Sequence, residues 1–178
     1  MINLEIGLFH QLDKNKMKYY YLHVWGVLDF DYSKTEYVDR NLHPPVLGNV
    51  SLEIDSWPTD DLFQIWPLYF VTERLRSILT HAGYSELKFT KTKGVKAGQN
   101  FRPIFGDSEL PKYYWRMDVE GIPGRDNFGL WDRLYLVVSE PALQLLKDNF
   151  VYHAEADLIT VSYSEYFSSH RKDFWMNA

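Results

Sequence analysis

The sequence predicts a single α+β domain spanning residues 1–178, in which short helices pack on an antiparallel or mixed sheet. The main observation is the stretch 134–150, where a run of β-favouring residues leads directly into an amphipathic helix. Ser139 is a typical N-cap ahead of Glu140 and Pro141, because its hydroxyl accepts a free backbone N–H and proline tolerates the first helical turn. The inward helix face recurs at helical spacing: Ala142, Leu145, Leu146 and Asn149 or Phe150.

A second, less regular copy of this pattern occupies residues 68–83. Its apolar strand, Leu68–Val71, corresponds to residues 135–138, and Thr72 corresponds to the serine cap. Gly83 closes the predicted helix, since glycine accepts the left-handed conformation that a C-terminal cap requires. The two copies are either a duplicated unit or two independent strand–helix junctions, and the residues leave both interpretations open.

The third observation is a series of aromatic or alternating stretches that predict β-strands. In chain order they are residues 2–8, 17–30, 50–55, 87–90, 101–106, 113–119 and 154–162. Gly26 marks a bulge or a close approach of two backbones, and Pro103 places its strand at a sheet edge. The connecting segments are predicted as loops or turns: 29–49, 56–61, 92–100 and 121–127. Residues 163–175 are predicted to form a final polar-aromatic helix or an ordered tail.

The composition restricts the class of protein. Apolar residues make up 46% of the 178 and aromatic residues 17%, which predicts a folded domain with a substantial core. Cysteine is absent, which excludes disulfides and a cysteine nucleophile and fits a reducing compartment. The amino terminus lacks the features of a secretory signal, and no apolar run approaches the roughly 18 residues that span a bilayer. We therefore expect a soluble cytoplasmic protein with no membrane association.

The formal net charge is −5 and the isoelectric point is near 5.6. This balance argues against binding to nucleic-acid phosphates and favours a basic partner.

Motifs for catalysis are weak. The six histidines are scattered without metal-ligand spacing, and no nucleophile elbow is present, so we predict neither an enzyme nor a cofactor. One alternative is a hydrolase or nuclease, since Glu86 and Lys88 with an upstream carboxylate imitate a magnesium site. That alternative requires at least two of five residues to converge in a pocket: Asp60, Asp61, Glu86, Lys88 and His153.

Tryptophans beside acidic turns are the strongest candidates for a binding surface. Tryptophan buries a large area at small entropic cost, and neighbouring carboxylates steer a basic partner. The predicted partner-binding residues are Trp57, Asp60, Asp61, Trp131 and Asp132, with Asp55 and Asp126 at the rim.

Three segments together resemble the immunity proteins of bacterial polymorphic toxin systems, closest to the family numbered eleven and its relatives. They are residues 66–73, 121–124 and 134–143, within a region of roughly 50 to 160. The resemblance implies tight, non-catalytic neutralisation of a cognate protein toxin, without a cofactor. It assigns no individual binding residues. Two other readings stay open beside the enzyme, namely a small-ligand-binding domain and an oligomeric scaffold such as a homodimer.

Overall fold

The computed structural model describes residues 17–26, 28–163 and 165–166. The predicted edge strand at residues 2–8 and most of the predicted helix or tail at 163–175 lie outside this part of the chain. The described residues include three complete helices: α1 (Glu73–His81), α2 (Phe101–Phe105) and α3 (Glu140–Asp148). Their thirteen strands are β1 (Tyr19–His23), β2 (Leu28–Phe30), β3 (Tyr37–Asp39), β4 (Val46–Leu47), β5 (Leu52–Ile54), β6 (Leu62–Ile65), β7 (Leu68–Val71), β8 (Leu87–Lys91), β9 (Val95–Ala97), β10 (Trp115–Val119), β11 (Phe128–Trp131), β12 (Tyr135–Ser139) and β13 (Glu155–Leu158).

The predicted α+β class is confirmed, and the strands divide among several sheets. Sheet I has the order β6-β7-β10-β8 and sheet II the order β11-β12-β1-β13, both wholly antiparallel. Sheet III, β2-β5-β9, is mixed, because β5 pairs antiparallel with β2 and parallel with β9. Strands β3 and β4 form a separate two-stranded ribbon.

Sheets I and II have the same topology. In each, a hairpin (β6-β7 or β11-β12) leads into a helix, and the helix leads to an edge strand, β8 or β13. The remaining inner position holds a strand that runs antiparallel to both of its neighbours. Sheet I takes this strand, β10, from later in the chain, whereas sheet II takes β1 from before both units. This shared topology supports the interpretation of the two copies as a duplicated unit.

Both strand–helix junctions are built as predicted. The Ser139 hydroxyl accepts the Ala142 N–H at 3.3 Å, and the Thr72 hydroxyl accepts the Leu75 N–H at 3.3 Å. Both caps have extended backbone, with ψ of 161° and 164°. After α1, Gly83 has a φ of +79°, which confirms the predicted left-handed end of that helix.

Sheet I is the middle layer of the molecule, and its strand alternation divides the core in two. One face of β7, with Tyr69 and Val71, packs against sheet II and both long helices. The opposite face, with Phe70, packs with Phe63 against the residues of sheet III. A third, smaller cluster of tyrosines and Trp131 covers the outer face of sheet II. The period of two along each strand therefore places every other side chain in a different core.

Some local predictions are wrong. Residues 101–106 were expected to be an edge strand but contain the whole of helix α2. Pro103 is compatible with this helix, since it falls in the first turn, where its missing N–H costs nothing. The predicted strand 17–30 is divided at Gly26 into β1 and β2, which belong to different sheets. The expected loop at 29–49 contains β3 and β4, and the expected turn at 92–100 contains β9. Strands β6 and β11 had no sequence prediction.

Candidate acidic binding site

A cavity of about 370 Å³ opens beside the paired strands β2 and β5. Its lining alternates acidic and apolar or aromatic side chains: Leu28, Asp29, Phe30, Tyr32, Glu53 and Asp55. The alternation of side chains along β5 explains why Glu53 reaches the cavity. Leu52 and Ile54 are fully buried on one side of the strand, and Glu53 faces the opposite side.

Close backbone packing brings the end of β5 against the start of α2. The Asp55 carboxylate accepts the Asn100 backbone N–H at 2.9 Å and its side-chain amide at 3.4 Å. A Cβ at Gly98 would lie 2.2 Å from the Asp55 carboxylate, so only glycine allows this approach. Asp55 is therefore held at the cavity by the backbone and the side chain of Asn100.

Cations are scarce around the cavity. Lys96 contacts Glu53 at 2.7 Å and the neighbouring buried Asp31 at 3.2 Å. Within the described residues, no lysine, arginine or histidine forms an ion pair with Asp29 or Asp55. The Lys96 ammonium group therefore pairs with two of the four carboxylates, and Asp29 and Asp55 have no ion pair among the described residues.

Hydrogen bonds shift the pKa values of three side chains in and around the cavity, those of Asp31, Lys96 and Tyr32. The Ser33 hydroxyl, followed by Lys96, lowers the pKa of Asp31, while Glu53 and then Asp31 raise the pKa of Lys96. The Tyr32 hydroxyl donates to Asp29 at 2.8 Å, and this bond, together with burial, raises the pKa of Tyr32 to about 12. At neutral pH the phenol therefore stays neutral at the rim of an anionic wall.

Of the residues predicted to bind a partner, Asp55 lines the cavity and Trp57 lies beside it. Trp57 is half-buried and packs edge-on against Phe101 at 5.2 Å and Phe105 at 6.3 Å. Because Asp55 binds the residue that precedes Phe101, α2 connects these two predicted residues.

Asp60 and Asp61 were expected on the surface, but both are buried and engaged within the protein. The Asp60 carboxylate accepts three backbone N–H groups, from Tyr152 at 3.0 Å, His153 at 2.9 Å and Ala154 at 3.2 Å. Asp61 accepts two hydrogen bonds from the Arg74 guanidinium, at 2.7 and 3.1 Å. The acidic pair therefore anchors the chain around it and presents little carboxylate surface to a partner.

The other predicted residues belong to the hairpin β11-β12 and the turn before it. Trp131 stacks on Tyr163 at 5.2 Å, and Asp132 is exposed in a tight turn with a φ of +52°. Asp126 pairs with Arg125 at 2.8 Å and accepts the Ile122 N–H at 2.7 Å. No contact in the described structure joins these residues to Asp55 or Trp57, so the predicted surface separates into two regions.

The residues named for the alternative enzyme come together only in part. His153 Nδ1 lies 2.9 Å from Asp60, but every oxygen of that carboxylate also holds backbone N–H groups. Glu86 accepts the Phe128 N–H, and Lys88 donates to the Ser85 carbonyl, so each has a local partner elsewhere. Across residues 17–26, 28–163 and 165–166, no three histidine or acidic side chains are arranged to hold a metal ion.

Sequence reasoning missed Asp29, Tyr32 and Lys96. The sequence signal for Glu53 and Asp55 was present, because both fall on the polar side of the alternating stretch 50–55. Tyr32 and Lys96 come from segments expected to be irregular, and Asp29 comes from the end of the predicted strand 17–30. Only the pairing of β5 with both β2 and β9 brings the three together.

Comparison of the chain with protein-family models, with curated proteins and with solved structures found no match in any of the three. None of the helices in the described part of the chain is both long and apolar enough to cross a membrane.

Proposed function

We propose that this chain is a non-catalytic, protein-binding immunity protein that neutralises a basic toxin, and that the acidic cavity receives a cationic side chain of that toxin. The observation that carries the proposal is the cavity itself, whose carboxylates Asp29 and Asp55 have hydrogen-bond donors but form no ion pair with any described residue. A lysine or arginine inserted there gains charge-assisted hydrogen bonds in a partly desolvated setting.

The aromatic rim suits such a group. The Tyr32 ring is exposed at the entrance and Phe30 lies below it, 6.2 Å away between ring centroids. A guanidinium plane stacks on aromatic faces while its N–H groups reach carboxylates, so arginine fits this lining better than lysine. The net charge of −5 would also accelerate encounter with a basic protein.

The proposal is tested by co-expression with a captured partner. The tagged chain is recovered from cells that produce it, and each stoichiometric partner is expressed alone and with the chain. We expect a partner that arrests growth alone and is tolerated beside the wild-type chain. The double variant Asp29→Asn, Asp55→Asn should lose most of the protection, whereas Glu109→Gln, a charge loss at an exposed residue, should keep it. A partner that is harmless alone, or protection that survives the double variant, contradicts the proposal.

The cavity volume supports a second candidate, a small cationic ligand, because about 370 Å³ falls within the range of small-molecule sites. Calorimetric titration with arginine and with spermidine separates the two. Binding that is tighter than about 100 μM and is abolished by Asp29→Asn favours a ligand-binding domain, whereas no heat from either ligand argues against it.

A further inference from the structure

A band of exposed aromatic side chains runs from the edge of sheet II toward the acidic cavity. It consists of Tyr152, Trp25 and Trp66, whose exposed fractions are 65%, 63% and 45%. We refer to these three residues as the aromatic band. Contiguous exposed apolar surface marks interaction sites, and tryptophan and tyrosine are among the residues most enriched at binding hot spots.

The pairing of β1 with β13 places Tyr152 and Trp25 at the same end of sheet II. Strands β1 and β13 pair antiparallel, and their last pair is His23 with Glu155. Trp25 lies two residues after His23, which is about 7 Å of extended backbone. Tyr152 lies three residues before Glu155, which is about 10 Å. Both therefore emerge at the same end of sheet II.

A second contact joins Trp25 to Trp66. A Cβ at Gly26 would lie only 1.8 Å from the backbone carbonyl oxygen of Gln64, so the two backbones touch at this point. Trp25 immediately precedes this contact, and Trp66 follows it by two residues at the tip of the hairpin β6-β7. The indole of Trp66 is braced by His43, with 5.3 Å between the ring centroids.

The backbone beneath the band is held in place before any partner binds. The buried Asp60 carboxylate accepts the N–H of Tyr152 itself and of the next two residues. The close contact of Gly26 with Gln64 holds the segment that contains Trp25 against β6. Preorganisation of this kind removes the cost of ordering a loop on association.

The band continues into the cavity. Strand β2 begins two residues after Gly26, and its first two residues, Leu28 and Asp29, line the acidic cavity. Two exposed acidic residues lie close to the band in sequence, namely Asp29, four residues after Trp25, and Glu155, three residues after Tyr152. An apolar surface with acidic neighbours complements a partner whose apolar contact residues are flanked by cations.

We infer that the aromatic band is the apolar half of a single interface and that its occupant is the basic protein whose cation enters the cavity. The inference rests on the proposed function, because it assigns the same partner to both surfaces. Trp25 and Tyr152 then act as hot-spot residues, and the cavity carboxylates determine orientation and encounter rate.

Photo-crosslinking tests this assignment. A benzophenone amino acid is placed at position 32, 25 or 152 in separate chains, with position 122, an exposed isoleucine in a remote turn, as the control. We expect positions 32, 25 and 152 to capture the same basic protein and position 122 to capture none. With that protein purified, Trp25→Ala and Tyr152→Ala should each weaken binding about 30-fold, and Ile122→Ala less than about twofold. Circular dichroism confirms that each variant is folded.

The outcomes separate the two claims. Capture from position 32 alone, with unchanged affinity of Trp25→Ala, overturns the aromatic band and leaves the proposed function intact. Capture of another copy of this chain from positions 25 and 152 assigns the band to a homodimer and also overturns the inference. No capture from any position contradicts the proposed function and the inference together.

Discussion

The Tyr69 hydroxyl donates a 2.7 Å hydrogen bond to the backbone carbonyl of Leu134 and accepts a 3.1 Å bond from the Leu136 N–H. Tyr69 belongs to β7, and the two backbone groups flank the start of β12, so one side chain joins the two strand–helix units. Burial raises the pKa of this phenol, which therefore stays neutral and able to donate at neutral pH.

Tyr69→Phe should destabilise the protein by about 2–4 kcal/mol, because removal of the oxygen leaves two backbone groups without their partner in the core. Tyr84→Phe is the matched control, since the Tyr84 ring packs on Phe128 and its hydroxyl has no hydrogen bond within the described residues. Urea unfolding of the two variants measures the difference. Equal midpoints for the two would show that the Tyr69 bridge contributes nothing.

Asp60→Asn should cost about 2–4 kcal/mol, because an amide presents a single acceptor oxygen where the carboxylate uses two. His153→Ala removes only a half-exposed ring contact and keeps the backbone bonds, so we expect a loss below about 1 kcal/mol. Chemical denaturation of both proteins gives the comparison. If His153→Ala were as damaging as Asp60→Asn, the ring rather than the backbone would be the anchor.

Gly26→Ala should be strongly destabilising, since its methyl group would meet the Gln64 carbonyl at 1.8 Å and force two strands apart. We expect a loss of more than about 2 kcal/mol. Gly94→Ala is the control, because a Cβ there meets no atom within 4 Å, and its effect should stay within about 0.5 kcal/mol. Thermal unfolding of the two variants tests the contact, and similar melting temperatures would contradict it.

The lowered pKa of Asp31 should make the stability of the fold depend on pH in the acidic range. The Ser33 hydroxyl and then Lys96 lower its pKa in the folded state, whereas the pKa of an aspartate in the unfolded chain is about 3.9. A depressed pKa in the folded state contributes stability that is fully present above the unfolded pKa and is lost as the pH falls through the folded pKa. The stability advantage of the wild type over Asp31→Asn should therefore shrink below about pH 4.

Urea unfolding at pH 7, 5, 4 and 3 measures this advantage. Glu109→Gln is the control, and its difference from the wild type should stay constant over the same range. An advantage of the wild type over Asp31→Asn that also stayed constant would mean that Asp31 is not coupled to folding.

The strand–helix junctions were predictable because their signals are local. Ser139 and Thr72 are followed within three residues by the N–H groups that they cap, so neighbouring residues contain the whole interaction. Helix α2 was not predictable in this way. Phe101 belongs to an apolar run that fits a strand or a helix, and its contact with Trp57 comes from 44 positions earlier in the chain.

The candidate site shows the same division. Alternation alone placed Glu53 and Asp55 on one polar side, but the cavity also requires Asp29 and Tyr32, which reach it through pairing of β2 with β5. Asp60 and Asp61 show the reverse. Their acidic character suggested exposure, yet backbone donors from residues 152–154 and the Arg74 side chain bury them.

By itself, the sequence determined the α+β class, the two capped helices and the acidic balance of the chain, since each depends on residue type and short spacing. The tertiary structure alone decided which strands share a sheet, that the inner strand of sheet II comes from β1, and which acidic side chains face a cavity. These features depend on hydrogen bonds and packing between segments up to about 140 positions apart, and no pattern of neighbouring residues encodes such pairings.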